Sequence, residues 1–135
     1  MSKEAIVITV IILYILLHSL VLEPNSIKIT KYEVECNALS GIRVAFLSDL
    51  HLKKTDYKRL DKIVKLTKKE EPDIVLLGGD YAKTPAKEQN MKSELFAEKI
   101  RTIDKPAYSV LGDDDYLAGS EEIKAALKKK QNSRS

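Results

Sequence analysis

Cysteine and histidine are both scarce in this chain of 135 residues. Cys36 is the only cysteine, so the sequence has neither a disulfide framework nor a cysteine-rich zinc site. A single cysteine does not indicate in which cellular compartment the protein resides. His18 and His51 are the only histidines. A site that needs three or more imidazoles therefore cannot be built from these residues alone.

A strong excess of one charge is also missing. The 23 basic and 20 acidic residues give a formal net charge of +3, which is too balanced to indicate a nucleic-acid-binding face. The densest basic cluster, Lys128–Lys130, is typical of a solvated last helical turn. Hydrophobic residues (44%) and charged residues (32%) are close to an ordinary globular mixture, and the length is enough for one domain. We therefore expect no nucleic-acid partner.

Charged side chains are absent from Ala5 to Leu22. A helix of this length extends about 27 Å, close to the thickness of a bilayer's hydrocarbon core. With Pro24 as a stop, residues 1–24 are predicted to form an uncleaved membrane anchor with one transmembrane helix. A cleaved signal peptide, with Lys3 before its apolar region, and a buried core helix are the alternatives. Positive charge gives only a slight preference for a domain on the cytoplasmic side.

Three short apolar runs alternate with amphipathic helical patterns in residues 25–135. The runs predicted as buried strands are Ile42–Leu47, Ile74–Leu77 and Ala107–Leu111. The helices are predicted over Asp56–Lys69, over Met91–Ile103 and from Ser120 onward. A further segment, Ile27–Cys36, alternates in part between apolar and polar residues and is predicted to be a half-exposed strand. This succession favours an α/β fold with a mainly parallel sheet.

Each buried run ends in a polar cluster. The clusters contribute up to five carboxylates, those of Asp49, Asp80, Asp113, Asp114 and Asp115. An aspartate after a single strand is typical of a turn or a helix cap. Three consecutive strands, however, bring their carboxyl ends to one crevice, where like charges about 4 Å apart repel by about 4 kcal/mol at an effective dielectric constant of roughly 20. Divalent cations are the strongest compensation, so we predict a metal site there.

The three clusters resemble the motifs of the calcineurin-like metallophosphoesterase superfamily. Asp49-Leu50-His51 resembles its D-x-H motif, Gly79-Asp80 its G-D motif, and Gly112–Asp115 stands where G-N-H-[DE] would stand. The apolar segment upstream adds a resemblance to the bacterial membrane-anchored branch. The resemblance covers Ile42 to about Leu127. It implies the N-terminal half of a metallophosphoesterase-type β-sandwich flanked by helices, preceded by one transmembrane helix.

The same resemblance implies metal-dependent hydrolysis of phosphate mono- or diesters. By it, Asp49 and His51 bind one metal, Asp80 bridges two, and Asp113 takes the place of an asparagine ligand of the second. The implied cofactors are two divalent ions, and Mn, Fe and Zn cannot be distinguished. Asp114 stands at the position of a catalytic histidine. A carboxylate ionised at neutral pH does not readily donate a proton, so we expect Asp114 to be non-functional in that role.

The sequence departs from the family after the third motif. The family's later histidines, including a G-H-x-H motif, and the second half of the sandwich are missing. We therefore expect residues 25–135 to be a metallophosphoesterase domain that is truncated at its C-terminal side and is weak or inactive alone. The lysine codons of Lys128–Lys130 are adenine-rich, so a frameshift at this run is one explanation for the truncation. The alternatives are a non-catalytic metal- or phosphate-binding module and a fragment completed by a separately encoded chain. The expected partners are otherwise a phosphoester substrate and the lipid bilayer.

Overall fold

The computed structural model describes residues 2–17 and 27–128 of the chain. The chain divides into two compact units, Met1–Val34 and Glu35–Ser135. In the first unit, helix α1 spans Lys3–Leu17. Within the described ranges, no helix is both long enough and apolar enough to span a bilayer. The rest of the predicted anchor and most of the C-terminal lysine cluster lie outside the described residues.

Residues 27–36 do not form a strand, so the prediction of a half-exposed strand there was wrong. The apolar alternation changes phase within the segment: Ile27 and Ile29 occupy odd positions, whereas Tyr32 and Val34 occupy even ones. No single face of an extended chain would therefore be apolar along its whole length. Tyr32 and Val34 are accordingly 85% and 83% exposed.

A three-stranded parallel sheet forms the centre of the second unit. Its strands, in spatial as in chain order, are β1 (Val44–Leu47), β2 (Ile74–Leu77) and β3 (Ala107–Ser109). Phe46 of β1 is opposite Leu76 of β2, which in turn is opposite Tyr108 of β3. The predicted α/β fold with a parallel sheet is thereby confirmed, with β2 at its predicted bounds and β1 and β3 slightly shorter than predicted.

Three helices alternate with these strands. They are α2 (Tyr57–Lys69), α3 (Ser93–Arg101) and α4 (Asp113–Lys128). Helix α4 begins at Asp113, earlier than predicted, and is broken at Gly119, where φ is 117°. The helical segment predicted from Ser120 follows this break, and a first segment that was not predicted precedes it. Three aspartates in its first turn are favoured there by the positive end of the helix dipole. The third polar cluster is therefore the beginning of a helix.

The two faces of the sheet differ in their exposure. On one face, Val75 and Leu77 are buried, at 0% and 3% exposed, in a core with residues of the helices. The helical members of this core include Leu60, Ile63, Val64, Phe96, Ile100 and Ile123. On the other face, Phe46 is 66%, Leu76 is 36% and Tyr108 is 63% exposed. We call this row of three apolar side chains the open face of the sheet.

Candidate active site

The first two motifs lie side by side beyond the carboxyl ends of β1 and β2. The amide of Asp49 donates a hydrogen bond of 3.1 Å to the carbonyl of Gly79, and the amide of His51 donates one of 2.9 Å to the carbonyl of Asp80. These bonds continue the parallel pairing of the two strands past the sheet. The structure therefore places the predicted ligands Asp49, His51 and Asp80 on adjoining segments at one edge.

The backbone is left-handed at all three of these residues. The φ angle is 55° at Asp49, 44° at His51 and 54° at Asp80, and Glu71 and Asp104 are the other non-glycine residues with positive φ among those described. The Cβ atom makes this conformation uncommon for residues other than glycine, although Asp and His adopt it more often than most. Such strain concentrates at functional sites, where the surrounding structure holds it in place.

Two glycines let the third motif approach the second. A Cβ atom on Gly79 would collide with the backbone of Gly112, and a Cβ atom on Gly112 would collide with the carboxylate of Asp80. In the space that the glycines leave, the amide of Asp114 donates a hydrogen bond of 3.2 Å to Oδ1 of Asp80. The first turn of α4 therefore lies directly against the carboxylate that the family resemblance assigns to bridging two metals.

The imidazole of His51 has a defined orientation. Its Nδ1 atom lies 3.1 Å from the carbonyl oxygen of Ala82 and 3.2 Å from Oδ2 of Asp114. Since both neighbours are acceptors, Nδ1 carries the ring proton. In the neutral ring, Nε2 is then unprotonated, which is the state that binds a metal ion.

Negative charge accumulates around Asp80. Partial burial raises the pKa of the Asp80 carboxyl above its ordinary value, and the carboxylates of Asp113, Asp115 and Asp114 raise this pKa further, against the opposing effect of the Asp114 amide. An ionised Asp80 is thus less favourable here than in water. A cation bound at this edge would offset the repulsion among these carboxylates.

Asp115 has a place that the sequence analysis did not foresee. The sequence predicted its carboxylate near the edge with the others, but the side chain is fully buried. Its Oδ1 atom accepts hydrogen bonds of 2.9 Å from the amides of Tyr81 and Ala82, and Oδ2 accepts one of 3.1 Å from the amide of Gly112. The only signal in the sequence was its position at the acidic end of the third motif.

Tyr81 connects the site to the core and was also missed. Its ring stacks on that of Phe96 with the centroids 4.8 Å apart. Its hydroxyl donates a hydrogen bond to the carbonyl oxygen of Val110, 2.6 Å away and just after β3, and also lies 3.1 Å from the carbonyl oxygen of Leu77 in β2. Burial raises the pKa of Tyr81 above its ordinary value, so the hydroxyl remains a donor at neutral pH.

The donor types at this edge fit a divalent metal, but the side chains do not form a closed ligand set. An imidazole with carboxylates suits Mn, Fe or Zn. The side chains of Asp49 and Asp113 are exposed, whereas Asp80, Asp114 and His51 are linked as described above. Within residues 2–17 and 27–128, no three His, Cys, Asp or Glu side chains are grouped so as to hold a metal ion. The metal-ligand roles of Asp49, His51, Asp80 and Asp113 therefore stay predictions.

The parallel α/β sheet, with the first two motifs at its carboxyl edge, fits a phosphoesterase-type domain. Residues 42–133 match the family of calcineurin-like phosphoesterases, which is more than half of the 135 residues. The chain belongs to the calcineurin-like phosphoesterase family, and the resemblance to this superfamily is confirmed. No curated protein and no solved structure gives a significant match. The bacterial membrane-anchored branch is not established by the family match.

Proposed function

We propose that this chain takes part in metal-dependent hydrolysis of phosphoesters at the edge formed by its three motifs. The observation that carries the proposal is the pairing of the first two motifs, in which His51 donates its amide to the carbonyl of Asp80 at 2.9 Å. Family membership over residues 42–133 supports the same reaction class. A divalent cation bound there would supply positive charge for the phosphate oxygens.

The chain's own residues set what the edge can do. His51 would offer Nε2 to a metal, because its Nδ1 atom is occupied by the Ala82 carbonyl and Asp114. Asp80 would offer its carboxylate, with Asp49 and Asp113 as further oxygen ligands. Asp114 adds negative charge beside the substrate phosphate and, when ionised, does not donate a proton to the leaving group. We therefore propose weak or no turnover by these 135 residues alone.

We further propose that the protein acts at a membrane. The stretch from Ala5 to Leu22 has no charged residue, and α1 accounts for the part of it that the structure describes. A helix that is apolar on all sides is normally buried, either in a protein core or in a membrane. This proposal names the location only, since lipids, nucleotides and other phosphoesters are all compatible with it.

Calorimetric titration with Mn²⁺ tests the site. The 135-residue chain in mild detergent should bind the ion, and Asp80→Ala should lose most of the affinity. Asp73→Ala is the matched control, because Asp73 also accepts a backbone hydrogen bond, 2.8 Å from the amide of Arg43, but before the start of β2. Equal affinity in the wild type and Asp80→Ala would refute the site.

The open face of the sheet favours a second candidate, a fragment completed by another polypeptide. Parallel sheets are normally covered on both faces, whereas Phe46, Leu76 and Tyr108 are exposed here. We propose that strands from a separately encoded chain, which also carries the later histidines that the family resemblance implies, pack on this face. The non-catalytic metal- or phosphate-binding module remains the alternative without turnover.

Co-expression with the C-terminal half of a calcineurin-like phosphoesterase that contains G-H-x-H separates these candidates. Co-purification with Asp80-dependent hydrolysis would support completion by a second chain. Co-purification of the Asp113→Asn, Asp114→His variant with metal binding but no hydrolysis would support the non-catalytic module. Charged substitutions at Phe46 and Tyr108 should abolish co-purification, and its persistence in that variant would refute the role of the open face.

A further inference from the structure

We infer that Asp115 is a positioning residue that fixes the second and third motifs against each other and thereby sets the geometry of Asp80 and His51. The inference rests on the proposed metal-dependent function, since it concerns how the edge is prepared for a cation. The carboxylate of Asp115 is fully buried, so it would not contact a metal or a substrate bound at the edge.

The burial of Asp115 is compensated by hydrogen bonds from the backbone alone. It is the one charged side chain among the buried residues of the described ranges. A buried carboxylate is strongly unfavourable unless several donors surround it, and amide donors to an ionised acceptor are the stronger kind of hydrogen bond. Here, three amides point at its two oxygens. The carboxylate therefore fixes the two backbone segments that contain those amides, one in the second motif and one in the third.

Two of these amides follow Asp80 directly in the chain. Oδ1 of Asp115 holds the amides of Tyr81 and Ala82 at 2.9 Å each, immediately after the left-handed turn at Asp80. The carbonyl of Ala82, in turn, receives Nδ1 of His51 at 3.1 Å. One carboxylate oxygen thus fixes the segment that carries Asp80 and that orients the His51 ring.

The other oxygen reaches the third motif. Oδ2 accepts the amide of Gly112 at 3.1 Å, in the segment whose close approach leaves room only for glycine beside Asp80. An asparagine at position 115 would have one acceptor oxygen and an NH₂ group, so a donor would face a donor on one of the two sides. Asp115→Asn keeps the size of the side chain and breaks this arrangement.

Metal affinity measured together with stoichiometry distinguishes positioning from plain stabilisation. For the 135-residue chain in mild detergent, we expect the Kd for Mn²⁺ to rise about 10- to 100-fold in Asp115→Asn with unchanged stoichiometry, as for loss of an outer-shell partner. Asp73→Asn, the control before the start of β2, should leave the Kd unchanged. A lower stoichiometry with an unchanged Kd would mean that Asp115 only stabilises the fold, and would overturn the inference.

A measurement on the wild type keeps the inference testable if Asp115→Asn does not fold. Because coupling is reciprocal, binding of Zn²⁺ should slow hydrogen exchange of the Tyr81 and Ala82 amides more than that of Val75. Val75 is buried in β2, and its amide donates to the carbonyl of Pro106 at 2.9 Å. Equal slowing at all three amides would contradict positioning by Asp115. A wild type that binds neither ion would refute the proposed function and the inference with it.

Discussion

The Nδ1 atom of His51 lies 3.2 Å from Oδ2 of Asp114, so the carboxylate at the position of the family's catalytic histidine helps to orient the ring of a predicted metal ligand. Asp114 and the carbonyl of Ala82 are both acceptors for the same ring nitrogen. A change at position 114 therefore alters two things at once, the group that the proposed function places beside the phosphate and the support of His51.

This double role determines the outcome of restoring the family motif. The unmodified chain should release p-nitrophenol from bis-p-nitrophenyl phosphate barely above background with Mn²⁺ present. Asp113→Asn combined with Asp114→His should gain far less than the ~10²-fold expected from a working general acid. The changes add an imidazole but remove an acceptor from His51 and supply none of the later histidines. Robust, Asp80-dependent turnover by the unmodified chain would contradict this prediction.

The raised pKa of Asp80 makes stability depend on pH. The folded state holds this proton more tightly than the unfolded chain, whose carboxyl has the ordinary pKa of 3.8. Ionisation therefore costs folding stability as pH rises from about that value through the folded pKa, and the penalty persists above it. With EDTA present, Asp80→Asn, which retains an acceptor for the Asp114 amide, should be stabilised relative to wild type more at pH 7 than at pH 4.

Urea unfolding of both proteins at the two pH values checks this sign. The difference in unfolding free energy between Asp80→Asn and wild type should grow as pH rises. If it stays constant or shrinks, the surroundings of Asp80 do not oppose its ionisation.

Two neighbouring leucines of β2 test which face of the sheet is open. Leu77 is 3% exposed in the core, whereas Leu76 is 36% exposed on the opposite face. Leu77→Ala should lower the free energy of unfolding by about 2–4 kcal/mol, as for a cavity in a packed core, and Leu76→Ala by less than about 1 kcal/mol. Both changes remove the same atoms from the same strand. Equal losses in urea unfolding would mean that the open face is covered in solution.

Membrane attachment predicts how the chain fractionates. Because Ala5 to Leu22 has no charged residue, the chain should sediment with membranes, resist carbonate and require detergent for release. Leu13→Arg places a charge near the centre of this segment, at a cost of about 2.5–3.5 kcal/mol for insertion, and should increase the soluble fraction. An intact N-terminus recovered in the carbonate-soluble fraction of the wild type would refute the proposed anchor.

Much of the fold was predictable because hydrophobic periodicity is a local property. Ile74–Leu77 is an apolar run between a helix-breaking proline and two glycines, and its strand bounds were predicted as observed. At residues 27–36, alternation alone was misleading, because a strand also needs one continuous face and a partner. Gly119 and Ser120 do mark a helix boundary, because φ at Gly119 is 117°, but the segment of α4 before them was missed, although three aspartates favour a helix start at Asp113.

The site was predictable in its location more than in its interactions. The polar residues after parallel strands meet at one edge wherever the strands pair, so the neighbouring positions of His51 and Asp80 followed from topology. Which carboxylate turns inward did not follow. Asp113, Asp114 and Asp115 are consecutive in sequence, and only their rotation around the first turn of α4 separates the exposed side chain of Asp113 from the buried one of Asp115.

The left-handed backbone at Asp49, His51 and Asp80 sets the retention of the predicted metal ligands against heat resistance. Glycine relaxes such a conformation because it has no Cβ to collide with the backbone, at a gain below the roughly 1–2 kcal/mol of most residues, since Asp tolerates it better. Directed evolution that selects for melting temperature alone should therefore accumulate glycine, or asparagine, at these positions first. The variants with the highest melting temperatures would be those that have lost the predicted metal ligands.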